Sequence, residues 1–195
     1  MPISISGDGT ITGVSVGGLP DGMVDTDMLA TSAVSAAKLG TNSFVSYAVI
    51  CDEKAQDTNA GTFTSGAWRT RDLNTEITDI DSIVSISSNQ FTLGAGSYLI
   101  KWYTPALRVE HHISRLQDIT NTATRGVGRT AYTDATGSLA DSVSIGAARV
   151  SIAGDTVYEI QHRCVTTRDN NGFGLASNIA STAEIYTIVE IFKEA

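Results

Sequence analysis

Residues 91–109, Phe-Thr-Leu-Gly-Ala-Gly-Ser-Tyr-Leu-Ile-Lys-Trp-Tyr-Thr-Pro-Ala-Leu-Arg-Val, constrain the fold more than any other stretch of the chain. Phe91 and Leu93 close one apolar-patterned run, Gly94-Ala95-Gly96 supplies a flexible turn, and Tyr98 to Tyr103 opens a run too apolar to leave one face in water. The expectation is a hairpin whose second strand is central. An isolated hairpin is marginal in water, and a long apolar strand at a sheet edge invites aggregation. The rest of the chain must therefore pair with this strand on both sides and cover it, which calls for a sandwich or a closed barrel.

The remaining sequence supplies the strands. From Ser43 onward, β-branched and aromatic runs alternate with turn signals at the spacing of an all-β sandwich, with strands expected near 43–51, 62–72, 82–93, 97–104, 111–119, 126–133, 142–152, 156–166 and 184–193. Asp169-Asn170-Asn171-Gly172, Ala153-Gly154-Asp155 and Thr136-Gly137-Ser138 mark turns. The last run, Glu184 to Lys193, is nearly continuous in strand formers and belongs beside Phe44–Cys51 or Tyr98–Tyr103.

Residues 1–40 have a different pattern. Ile3, Ile5, Ile11, Val14 and Val16 alternate around Gly7-Asp8-Gly9 as a small hairpin, and Met28 to Leu39 reads as a short helix capped by Asp25 or Thr26 and ended by Gly40. The helix has only a thin apolar stripe, and a unit of about 40 residues rarely buries enough surface by itself. The segment is therefore expected to gain burial from another chain; a flexible tail is the plain alternative.

Ala67 to Asn74, Leu93 to Ile100, Ser114 to Asp118, Asp155 to Ile160, Gly172-Phe173-Gly174 and Glu184 to Val189, taken in that order, resemble the C1q/TNF-like jelly-roll head of bacteriophage fibre proteins. The leader segments Gly9 to Gly13, Gly18 to Gly22, Asp27 to Ala30 and Ala37 to Leu39 look like the N-terminal segments of phage tail and fibre proteins. The resemblance implies a mainly β fold, a two-sheet antiparallel jelly roll over 41–195, preceded by an anchoring and trimerisation segment over 1–40. It also implies a homotrimer with the termini at a stalk and alternate loops at the far apex. The family pattern has ten strands, so one short strand more than those read above is expected within 73–92.

Charge bears on partners. The formal net charge of −8, with thirteen Lys and Arg spread along the chain, lacks the basic footprint of a protein that grips phosphate backbones. No nucleic acid is expected. No run approaches membrane-spanning length, no secretory leader is visible at Met1-Pro2-Ile3-Ser4, and production in a host cytoplasm is expected. Cys51 and Cys164 each lie in an apolar run and read as reduced, buried thiols, a single disulfide between them being the alternative.

Gly13-Val14-Ser15-Val16-Gly17 matches a nucleophile elbow, but that motif needs a helix directly after the serine, and Gly18-Leu19-Pro20 follows instead. Glu110-His111-His112, with His162 further on, offers too few ligands for a closed zinc site unless a threefold axis shares them, and reads as surface or hydrogen-bonded histidines. Asp52, Asp57, Asp134, Asp141 and Asp169 are candidate calcium donors in turns but lack a regular ligand ladder. Glu76, Asp79 and Asp81 resemble paired glycosidase carboxylates without a cleft, and read as a solvated turn. Trp68, Trp102 and Tyr103 are either sugar platforms or core, with core favoured for aromatic residues on strands. No catalytic residue, cofactor or metal is expected.

The function these readings imply is a non-enzymatic phage virion protein, a trimeric tail or baseplate fibre that attaches to the host surface. A head fibre or capsid-decorating protein is the first alternative, and a glycan-cleaving fibre tip the second. The expected partners are two further copies, another virion protein through residues 1–40, and a host-surface glycan or protein. Counting antiparallel connections back from the last strand puts 167–183, 134–141 and 104–110 at the apex, and 153–155, 120–125 and 94–96 at the stalk. The candidate contact residues are then Arg108, Asp134, Arg168, Asp169, Asn170, Asn171 and Phe173, unless Phe173 packs inward.

Overall fold

The computed structural model describes residues 4–5, 11–12, 44–137 and 139–195. The chain divides into two compact units, Met1–Gly40 and Thr41–Ala195. In the first, β1 (Ser4–Ile5) pairs antiparallel with β2 (Ile11–Thr12), so the hairpin read around Gly7-Asp8-Gly9 is present. The helix expected over 28–39 and the Gly13-to-Gly17 motif lie outside the described residues.

The described part of the second unit contains β3 (Phe44–Lys54), β4 (Arg69–Thr70), β5 (Thr75–Asp79), β6 (Val84–Ser87), β7 (Gln90–Leu93), β8 (Gly96–Leu107) and β9 (Glu110–Asp118). These are followed by β10 (Ala123–Val127), β11 (Ala131–Thr133), β12 (Asp141–Ile152), β13 (Thr156–Cys164) and β14 (Glu184–Glu194). One sheet runs β12-β8-β14-β3-β5; the other runs β10-β9-β13-β7-β6, with β11 also on β9 and β4 on β13. The strands nest: β3 pairs with β14, β7 with β13, β8 with β12 and β9 with β10, all antiparallel. Pairing first with last and inward from there is a hairpin rolled into two sheets, the winding of a jelly roll.

The constraint at 91–109 acts through β8. Tyr98, Ile100, Trp102, Thr104 and Ala106 alternate inward and are fully buried, while β12 and β14 hydrogen-bond its two edges. The strand is central, as its composition demands. The hairpin expected there does not form. β7 and β8 lie in different sheets, and Gly94-Ala95 carries the chain across the sandwich instead of turning it back within one sheet. Adjacent apolar runs mark core strands; they do not say that the two runs are partners.

Other boundaries differ for local reasons. The strand expected over 62–72 is mostly irregular, because Gly61 and Gly66 adopt φ of +102° and +89°, leaving only β4. The run 82–93 is a hairpin, β6 and β7, turned at Ser88-Asn89, both with positive φ. The run 126–133 divides into the end of β10 and β11. The short strand sought within 73–92 is β5, on the edge beside β3. β14 lies between β3 and β8 and so touches both of its candidate neighbours.

The core has two compartments. The larger packs Ile50, Leu73, Phe91, Leu93, Tyr98, Ile100, Leu116, Tyr158, Ile160, Val189 and Ile191 among others between the sheets. A smaller cluster joins Phe63, Ala106, Val109 and Cys164, with Phe173 against it. Cys51 and Cys164 are both free and buried, and burial raises each thiol to about 11.

Candidate functional site

The registers define two ends. Phe44 lies opposite Glu194 at the lower end, with Gly96 opposite Ile152; Leu107 opposite Asp141 and Lys54 opposite Glu184 mark the upper end. The connections over 108–109, 134–140 and 165–183 are all upper, and those at 94–95, 119–122 and 153–155 are lower. The alternation counted from sequence therefore gathers the chosen loops at one end. A fourth upper loop, 55–68, was missed because its Thr and aromatic content read as strand; Gly61 and Gly66 were the signal for it.

The seven candidate residues fare differently within that end. Asp134, Asp169 and Asn170 are exposed, whereas Arg108, Arg168, Asn171 and Phe173 are half-buried. Asp134 caps its own loop, accepting the Thr136 N–H at 2.9 Å, and the Thr136 and Gly137 N–H groups hold its carboxyl below the usual range. Arg108 donates to the carbonyl of Gly137, and its backbone N–H bonds Thr133 Oγ1 at 3.0 Å. Arg168 donates to Asn171 Oδ1 at 2.8 Å. Phe173 takes the inward alternative: its ring stacks on Phe63 at 4.4 Å and lies 4.2 Å from the Arg71 guanidinium, so it braces the loop from inside.

Loops 55–68 and 165–183 form one layer. Phe63 and Arg168 exchange both backbone hydrogen bonds, Ala60 N–H reaches Gly174 O at 3.1 Å, and Leu107 N–H reaches Gly172 O at 3.0 Å. Gly172 is demanded by contact, since a Cβ there would meet Arg168 O at 2.5 Å. Glu184 ties in the far side. One carboxylate oxygen accepts the Asp57 and Asn178 N–H groups at 3.2 and 2.9 Å, and the other accepts Ser177 N–H and Oγ–H, both at 2.9 Å. The Ser177 N–H leads the bonds that hold this carboxyl below its ordinary range.

Beneath the layer lies a buried polar compartment, in which His112 and His162 are the hydrogen-bonded histidines expected from sequence and the buried Arg71 was not foreseen. Arg71 donates to Thr187 Oγ1 at 2.7 Å, Pro105 O at 3.2 Å and Phe173 O at 3.0 Å, and burial pulls its guanidinium down to about 10. His112 Nδ1 lies 2.9 Å from His162 Nε2, and His112 Nε2 lies 2.7 Å from Ser142 Oγ. Burial, followed by Arg71, pushes His112 down to about 4 and His162 well below the ordinary imidazole value. Hydroxyl, imidazole and imidazole stand in the order of a nucleophile, a base and an orienter. A base must take a proton, however, and an imidazolium here would stand buried near the Arg71 cation, so the arrangement favours neutral rings over proton transfer. His111 points outward and packs, tilted, against Tyr132 at 4.9 Å.

The other sequence candidates are committed elsewhere. Among the described residues no group of three or more His, Cys, Asp or Glu is placed to hold a metal ion. Asp52, read as a turn residue, is buried within β3. Asp79 accepts the Ile83 and Val84 N–H groups at 2.9 and 3.0 Å, and Asp81 accepts Ser46 Oγ–H at 2.7 Å, so this acidic stretch closes a lower turn. Trp102 is core, with its indole N–H on Ser114 Oγ at 2.8 Å, while Trp68 is half-buried under the Arg115 guanidinium at 4.2 Å.

Two unlike apolar surfaces remain. On the outer face of the β12-β8-β14 sheet, Tyr103, Pro105, Val143, Ile145, Ile185 and Ile188 line an open groove of about 540 Å³. Below it Glu190 accepts Tyr103 Oη–H at 3.1 Å and pairs with Lys101 at 3.3 Å, and Phe192 packs on Tyr47 and Phe44. On the β10–β11 edge, Val127 and Tyr132 are more than half exposed, with Leu139 beyond them.

No protein-family model matches the sequence, and no curated protein sequence does. Similar folds occur among solved structures. The globular domain of zebrafish complement 1qA shares 11% identity over 75% of this chain and 95% of that one, with a TM-score of 0.48. Murine APRIL at pH 8.0 shares 8% over 76% and 98%, with a TM-score of 0.46. Eiger TNF from S. frugiperda shares 13% over 78% and 94%, with a TM-score of 0.48.

Proposed function

We propose that the chain is a non-enzymatic structural protein of a bacteriophage particle, a homotrimeric fibre head that attaches to a host surface through its upper loops. The phage assignment rests on the resemblance of the leader and head segments to fibre proteins. The observation that carries the attachment reading is that Asp134, Asp169 and Asn170 stand exposed at the end opposite Phe44 and Glu194. A mix of carboxylates and amides at a free tip suits weak recognition of a polar surface, and threefold display multiplies weak contacts through effective concentration.

Trimerisation is supported by the two apolar surfaces. A groove on a sheet face and an apolar strip on a sheet edge are not self-complementary, so a contact between them is heterologous, and such contacts close when the rotation suits a ring. Residues 1–40 are proposed to anchor the trimer to another virion protein.

The test is adsorption of particles carrying Asp169→Ala with Asn170→Gly. Glycine suits the Asn170 φ of +64°, so the head should melt as the unmodified one does while adsorption falls. Unchanged adsorption would move the contact elsewhere. Labelling the chain in intact virions then separates a tail position from a capsid-decorating one.

A further inference from the structure

The two buried histidines sit at the joint between the upper loop layer and the sandwich. His162 packs on Phe63 at 4.7 Å, Phe63 stacks on Phe173 at 4.4 Å, and Arg71 closes the row over Phe173 at 4.2 Å. Phe63 belongs to the 55–68 loop and Phe173 to the 165–183 loop, so one stack holds both. His112 and His162 share one hydrogen bond, and His162 Nδ1 is buried with no hydrogen-bond partner among the described residues.

The charged groups around the pair are already committed: Glu110, two residues before His112 on β9, accepts the Thr166 hydroxyl, and Arg69 lies opposite His162 in register. Arg71 faces the pair from the β4–β5 connection, Ser142 from β12 and Cys164 from β13, while His111 on β9 turns away to Tyr132. Asp52 and Asp72 act on Arg71, and among the described residues no carboxylate hydrogen-bonds to either imidazole. A proton entering the pair therefore adds a second cation beside Arg71 in a compartment where His162 is fully buried and only His112 borders an open pocket, of about 190 Å³, lined also by Thr130, Arg163 and Cys164. The charge is relieved when the covering layer lifts and water reaches the rings. Phe63 and Phe173 belong to the smaller apolar cluster, so the layer they hold can lift while the larger cluster stays packed.

We propose that the His112–His162 pair is an acid-operated latch, whose protonation releases loops 55–68 and 165–183 as one layer while the lower sandwich stays folded. The latch does not depend on what those loops bind. The sequence puts His112 and His162 in one candidate group, but only the pairing of β9 with β13 shows that their rings meet.

Amide hydrogen exchange on the full chain from pH 7.5 to 4.5, corrected for intrinsic exchange, tests the latch. Protection in 55–68 and 165–183 should fall below pH 6.5, by up to about tenfold per pH unit for each coupled proton, while the lower loops at 94–95, 119–122 and 153–155 keep theirs. His162→Gln, which does not titrate there, should hold the upper loops closed to lower pH. If that variant does not fold, the comparison of upper with lower loops in the unaltered chain decides. Upper loops protected at pH 4.5, or upper and lower loops exposed together, overturn the proposal.

Discussion

Gly146 on β12 lies flat against the Trp102 indole on β8: a Cβ at Gly146 would stand 2.0 Å from Trp102 Cζ2. The indole cannot step aside, because its N–H is fixed to Ser114 Oγ, which itself lies 2.8 Å from Ser144 Oγ. Gly146→Ala should therefore destabilise the head by about 3 kcal/mol or more, at the upper end of the range for overpacked cores. Gly154→Ala, where nothing lies within 4 Å, should stay within about 0.5 kcal/mol. Urea unfolding of both variants checks the pair; equal costs would show that the indole is free to move.

That contact also shows how far the sequence could be read. Strand character and burial at Tyr98–Tyr103 follow from composition, because a run apolar on both faces must be central. The partner of Trp102 does not follow, since Gly146 looks like any glycine in a Ser-Ile-Gly-Ala-Ala run. The same division holds at the site. Alternation along antiparallel strands placed the upper loops correctly, while the inward turn of Phe173 depends on Arg71 and Phe63, about a hundred residues away in the chain. Periodicity reports which way a side chain faces; it does not report what it meets.

The outer-face groove yields a test of assembly. Ile145 is 41% exposed on β12 beside Tyr103 and Ile188, and a carboxylate there would be buried by any chain docked in the groove. The unaltered chain should scatter light as three times 20.5 kDa at micromolar concentration, and Ile145→Glu should run as a folded monomer. A monomeric parent chain would remove the trimer from the proposed function. A trimeric Ile145→Glu would move the interface off this face.

The anchor assigned to residues 1–40 separates from the head in the same way. Thr41–Ala195 is a compact unit with its own core, so a chain beginning at Thr41 should fold and melt cooperatively yet fail to join particles. Incorporation at the normal level would place the anchor within the head.

Glu184 gives the upper loops a second response to acid, distinct in pH from that of the histidines. Its carboxyl titrates below the ordinary value of 4.5 because the folded chain directs the Ser177, Asn178 and Asp57 N–H groups at it. A carboxylate depressed in the folded state stabilises fully above its unfolded value, and that contribution is lost as pH falls through the folded one. For His112, lowered from 6.5 to about 4, the loss starts higher: the unfolded chain takes up its proton first, so stability declines from pH 6.5 downward, by up to about 3 kcal/mol at pH 4. Glu184→Gln keeps one acceptor oxygen and gives up the other. It should loosen 177–183 at neutral pH and abolish the further loosening below pH 4.5, leaving the decline between pH 6.5 and 4.5 in place. Melting curves and amide exchange at pH 7, 5 and 3.5 separate the two windows, and a Glu184→Gln head that kept the full loss below pH 4.5 would assign that loss to other carboxylates.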